Sequence, residues 1–98
     1  MPIAEINSNM KDYIAVAGIS FPTYSISQGE SKEISTTCLI PTGYVPLFAV
    51  CVSTGNSAIP CGGCRISGST VSMKIYNNGA SVTNQPNAAA SVLLKRMS

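Results

Sequence analysis

Between Ser20 and Asn87 no segment repeats its apolar residues with a helical period, whereas residues 64–76 repeat them with the period of a strand. Gly68-Ser69 is a two-residue turn with glycine at its first central position, as a type II′ hairpin requires. That turn pairs Ser67 with Thr70, Ile66 with Val71, Arg65 with Ser72 and Cys64 with Met73. Cys64, Ile66, Val71, Met73 and Ile75 then share one face, and Arg65, Ser67, Thr70, Ser72 and Lys74 share the other. Apolar and polar residues separate without exception, and a one-residue slip would mix them. A chain built round this hairpin contains an antiparallel sheet with one dry face.

The neighbouring segments follow the same logic. In residues 33–40, Ile34, Thr36, Cys38 and Ile40 alternate with Glu33, Ser35, Thr37 and Leu39, until Pro41-Thr42-Gly43 breaks the strand. Ile, Val and Thr number ten, seven and seven against four Leu, which favours strands throughout. Strands are expected near 12–19, 23–27, 31–40, 45–53, 64–67, 70–77 and 87–96, about seven in all, with no helix longer than about two turns. The expected core includes Ile34, Cys38, Leu47, Ala49, Ile66, Val71, Met73, Ile75, Val92 and Leu94.

Two segments are apolar on both faces, Val45–Val52 and Ala88–Leu94. A sheet with one face on a core meets water on the other, so such strands need a second cover. In a chain of 98 residues without helices the simplest cover is another copy of the chain. The bland alternative is a central strand of a closed barrel. The covering reading places an interface at Phe48, Val50, Val52 and Leu93, and a threefold ring closes it without leaving an open copy. Charge agrees, since 10% of residues are charged against roughly 25–35% on the surface of a freely soluble small domain.

The N-terminus divides at residue 11, with an attachment stub over 1–11 and a β-domain over 12–98. Ile3, Ile6, Met10, Tyr13 and Ala17 step as a heptad would, for barely two heptads. The opening Met-Pro-Ile-Ala-Glu lacks the basic and apolar regions of a signal peptide, and no apolar run is long enough for a membrane helix. Synthesis in a reducing cytoplasm and no membrane insertion are expected.

The chemistry is bounded tightly. The chain has no histidine, and its four carboxylates are Glu5, Asp12, Glu30 and Glu33, none in the last 65 residues. A Ser-His-Asp or Cys-His system is impossible within one chain, and no general acid–base pair is on offer. We expect no catalytic residues and no cofactor. A net charge of +2 with scattered Lys and Arg argues against nucleic acid.

Ordered along the chain stand Tyr-Ser-Ile-Ser-Gln-Gly (24–29), Ile-Pro-Thr-Gly-Tyr-Val-Pro-Leu (40–47), Val-Ser-Thr-Gly-Asn (52–56), Ile-Ser-Gly-Ser-Thr-Val (66–71), Ile-Tyr-Asn-Asn-Gly (75–79) and Ala-Ser-Val-Leu-Leu-Lys (90–95). The set resembles a small β module that closes many tail-fibre and minor structural proteins of phages and prophages of Gram-positive bacteria. The resemblance covers residues 13–96. It implies an all-β antiparallel sandwich, jelly-roll-like or Greek-key, homotrimeric, at the tail tip or capsid surface of a virion made in the host cytoplasm. It carries no shared catalytic motif. It implies a fibre knob or spike tip that adheres to a host-surface glycan. The alternative is a capsid decoration protein that binds other virion proteins and no receptor. Two departures are the short N-terminus, where the module commonly ends a longer chain, and the Cys-Gly-Gly-Cys loop.

Cys61-Gly62-Gly63-Cys64 has metal or redox spacing. Zn²⁺ would need two more ligands, which without histidine are Cys38 and Cys51 or groups of other subunits. The hairpin turns Cys64 toward the core, and Cys38 lies on the Ile34 face, so inert buried thiols are the preferred reading, ahead of Zn²⁺ and of a disulfide. On that reading Cys61→Ser is nearly silent. For a saccharide, exposed Tyr with nearby Asn are the candidates, here Tyr44, Asn56, Asn77 and Asn78. The bland reading leaves those side chains satisfying turns, with Phe48 and Tyr76 packed in sheets.

Overall fold

The computed structural model describes residues 12–97. The heptad stub over 1–11 lies outside the described residues. Eight strands follow in order: β1 (Tyr13–Ser20), β2 (Tyr24–Ile26), β3 (Ser31–Thr37), β4 (Tyr44–Ser53), β5 (Cys61–Ser67), β6 (Thr70–Tyr76), β7 (Val82–Gln85) and β8 (Ala89–Arg96). Among the described residues there is no helix. The additional strand is β7, which falls between the strands expected over 70–77 and 87–96. It forms a short irregular ladder with β2. β3 ends at Thr37 rather than residue 40, and β5 begins at Cys61 rather than residue 64.

The hairpin register is the one dictated by Gly68-Ser69, with all four expected pairs present. Gly68 has φ +60°, which a residue bearing a side chain would resist. Every ladder is antiparallel, and three small sheets result, ordered β1-β8-β4, β2-β7 and β3-β6-β5. First pairs with last, second with second-last and third with sixth.

The central strands supply the core. Val71, Met73 and Ile75 of β6 and Ala90, Val92 and Leu94 of β8 are buried at alternate positions, in one cluster with Phe21, Ile34 and Ile59. Ala49 and Cys38 are buried as expected, and Lys74 is exposed beside Met73. Two core expectations are corrected. Ile66 is half-buried, because β5 is an edge strand with a ladder on one side only. Leu47 is 46% exposed. The cause is a bulge: Pro46 opposes Leu94 and Phe48 opposes Leu93, so Leu47 is an extra residue without a partner. Pro46 has no N–H for the ladder, and a bulge on an edge strand is where proline fits. A second extra residue, Val52, sits between Cys51 and Ser53.

The strands give the molecule two chemically distinct ends. Tyr13, Tyr44, Arg96 and the turn at Gly68 lie at one end, which we call the terminal end. There Arg96 and Asp12 form an ion pair at 2.7 Å. The other end, the loop end, carries residues 54–60 and 77–80, tied by a hydrogen bond from Asn78 N to Ala58 O.

Candidate functional site

The outer face of the β1-β8-β4 sheet is apolar. On β4, Phe48, Val50 and Val52 are 53%, 48% and 60% exposed, and the bulge adds Leu47 to the same ridge. Leu93 is half-buried between Ala15 of β1 and Phe48 of β4. The four residues singled out from sequence therefore share one face. Beyond Tyr13, which is 53% exposed at the terminal end, Ala15, Ala17 and Gly18 on β1 leave the opposite margin of that face low and bare. Gly18, at φ +68°, belongs to a bulge between Val16 and Ile19. The ridge on β4 is thus a contiguous run of exposed apolar side chains, the kind of patch that often serves binding. Lys95, at the terminal end, is the one charge on this face among the described residues.

The outer face of the β3-β6-β5 sheet is the reverse. It carries Glu33, Ser35, Ser72, Lys74 and Arg65. Ser72 is buried in the middle of this polar face, where its hydroxyl lies 3.0 Å from that of Ser35. Arg65 and Glu33 approach to 3.6 Å across it, both well exposed, which adds little to stability. Toward the loop end a groove of about 390 Å³ is lined by Ser31, Glu33, Pro60, Gly62, Lys74 and Tyr76, among others. Tyr76 is 43% exposed there, so it does not pack inside the sheet.

The cysteines divide, which corrects the reading of four inert thiols. Cys51 and Cys61 form a disulfide that joins β4 to β5, and so the two three-stranded sheets. Cys38 is free and buried and Cys64 free and half-buried, as packing residues would be. Burial pushes both thiols above the ordinary 9.0, for Cys64 against a smaller lowering by a hydrogen bond with the Arg65 backbone. The Zn²⁺ alternative has no geometry to rest on. Cys38 N bonds Ser69 O at the terminal end, whereas Cys61 pairs with Ile75 at the other. Among the described residues no three potential ligands converge.

The four candidate ligand residues are not brought together. Tyr44 opens β4, about 30 Å of strand from Ser53 at its close, and packs half-buried on the core. Asn77 is wholly buried: its Nδ2 donates to Ile26 O and Ala80 O, and its Oδ1 accepts from Gly79 N at 2.9 Å. Asn56 is half-buried, with its Oδ1 accepting from Ala58 N and its Nδ2 donating to Gln85 Oε1. Both hold turns. Asn78 alone is exposed. The loop end is fastened further by Tyr24, whose hydroxyl donates to Thr54 O at 2.7 Å, and by buried Thr54, whose hydroxyl donates to Ile59 O at 2.5 Å. Burial raises the Tyr24 phenol above its ordinary 10.0.

No protein-family model, curated protein or solved structure matches the chain. The groove at Tyr76 was missed from sequence although its signal was present. The alternation that puts Ser72 and Lys74 on the polar face continues to Tyr76.

Proposed function

We propose that the protein is a structural assembly module of a phage particle, a homotrimeric knob or spike tip that adheres to a host-surface glycan. The observation that carries assembly is the almost uncharged apolar outer face of the β1-β8-β4 sheet, with Phe48, Val50 and Val52 about half exposed. That face is uneven, bulky on β4 and bare at Ala15, Ala17 and Gly18 on β1. A two-fold contact would set the same patch against itself. A ring in which each ridge enters the next copy's hollow matches large to small and closes on itself. The resemblance supplies the number three, the virion setting and adhesion. The nested strand pairing suits a jelly-roll-like sandwich. Described residues at both ends of the chain lie at the terminal end, which suits attachment there and display of the loop end.

Light scattering tests the assembly. The expected mass is three times that of the chain, falling to one chain in Phe48→Asp and Leu93→Asp. A stable wild-type monomer at micromolar concentration refutes it. Antibody labelling of particles tests the setting: tail label supports the knob, and capsid label supports decoration instead.

A further inference from the structure

The groove on the polar sheet lies on the face opposite the proposed interface, so assembly leaves it open. Its lining includes the half-exposed ring of Tyr76. Around the ring stand polar groups with little to satisfy them. Among the described residues no hydrogen bond or ion pair engages the Lys74 ammonium, the Tyr76 hydroxyl or the Ser31 hydroxyl. Glu33 faces Lys74 across the ladder yet pairs only with Arg65, at 3.6 Å, beyond hydrogen-bonding distance. Gly62, also in the lining, packs its backbone close against β6, where a Cβ would come within 2.8 Å of Lys74 O. The rest of the lining, from Lys32, Pro60, Cys61 and Ile75, is mostly carbon, with Pro60 exposed and Ile75 buried.

We infer that this groove binds a saccharide carrying N-acetyl groups, with Tyr76 as the stacking platform. A sugar ring offers one apolar C–H face and a rim of hydroxyls, matching a half-exposed aromatic ring flanked by unpaired donors and an acceptor. An acetamido group adds a methyl for the carbon wall, an N–H for the Glu33 carboxylate and a carbonyl for the Lys74 ammonium. The volume of about 390 Å³ lies at the small end of ligand sites. This names the site of the adhesion proposed above and rests on that reading. A ring of three copies would present three such grooves outward and add avidity.

The test is amide-resolved titration of the full isotope-labelled chain with tri-N-acetylchitotriose, and with maltotriose in a parallel arm. We expect the N-acetylated sugar to shift residues 31–33, 60–62 and 74–76. Tyr76→Ala should weaken it more than about tenfold and Tyr76→Phe by under about threefold. Lys74→Met, at an exposed position, gives a second variant should Tyr76→Ala fold poorly, and it too should weaken binding. Absence of shifts up to about 10 mM overturns the inference, as does binding unaltered by both Tyr76→Ala and Lys74→Met, or equal binding of maltotriose. An assembled chain that binds glycans on an array through other residues overturns this site and leaves adhesion standing. A monomer that binds the trisaccharide in the groove does the reverse for assembly.

Discussion

Breaking the Cys51–Cys61 bond should cost the protein a large share of its stability. The bridge spans a sequence separation of 10. Closing a loop of that size removes about 2.7 kcal/mol of chain entropy from the unfolded state. The crosslink is also the covalent tie between the β1-β8-β4 and β3-β6-β5 sheets, at the loop end, and it closes the β4–β5 connection that the Thr54 and Asn56 hydrogen bonds hold in shape. For a domain of this size, total stability is about 5–10 kcal/mol, so the loss is about a quarter to a half of the whole. Urea unfolding with and without dithiothreitol measures it. At a slope of about 1 kcal/mol/M the midpoint should fall by about 2–3 M, and the thermal midpoint by about 10–20 °C. Cys61→Ser should reproduce the loss in oxidised protein and make it insensitive to reductant. Cys64→Ala should cost about 1 kcal/mol in either redox state, as a half-buried side chain does. The reasoning fails if peptide mapping finds Cys51 and Cys61 unjoined in oxidised protein. It also fails if reduction of an intact bridge moves stability by less than about 0.5 kcal/mol.

Other outcomes separate structural from surface residues. Asn77→Ala should destabilise by about 2–3 kcal/mol, because it strips partners from Gly79 N, Ile26 O and Ala80 O in a buried site, while Asn78→Ala stays within about 0.5 kcal/mol. Leu94→Ala should cost about 2–5 kcal/mol and Leu47→Ala under about 1 kcal/mol in the isolated chain, read by urea midpoint. Stability should decline in alkali. Cys38, Cys64 and Tyr24 all titrate higher folded than unfolded, so their contribution is whole below 9.0 and is lost as pH rises through their folded values. A urea midpoint that rises from pH 8 to about 10.5 would contradict the burial of these groups.

What was legible in the sequence was whatever a local rule controls. The Gly68 turn fixes its own hairpin, so the pairing from Ser67–Thr70 to Cys64–Met73 followed from a dozen residues. The alternation of Ile34, Thr36 and Cys38 likewise gave the inward face of β3. What failed depended on a partner far along the chain. Counting alternate positions through Val45–Val52 put Leu47 inside, but β4 bulges at Pro46 against β8, and one extra residue reverses the parity on that side. β7 exists through its pairing with β2, which no pattern within residues 82–85 announces. Cys51 and Cys61 are brought together by the approach of two sheets. Asn56 and Asn77, proposed for a ligand, are instead turn locks, because a short amide side chain next to a glycine turn reaches its own backbone first.

The scarcity of charge, read from sequence as a property of the whole surface, is a property of one face. Lys32, Glu33, Arg65 and Lys74 all belong to the β3-β6-β5 sheet. Asp12, Lys95 and Arg96 cluster at the terminal end, and Glu30 caps the turn before β3 by accepting from Ser27 N. From Leu93 to the loop end, the outer face of the other sheet has no charge at all among the described residues. A soluble monomer guards such a surface with inward lysines or a charged edge, and β4 as an edge strand has neither. Its bulges interrupt strand pairing, which blocks open-ended edge-to-edge growth while leaving the side-chain face free. That combination opposes aggregation through backbone hydrogen bonds and permits association through side chains. On the reading proposed above, the polar sheet, with Tyr76 and Lys74 turned to water, is the surface left for a ligand.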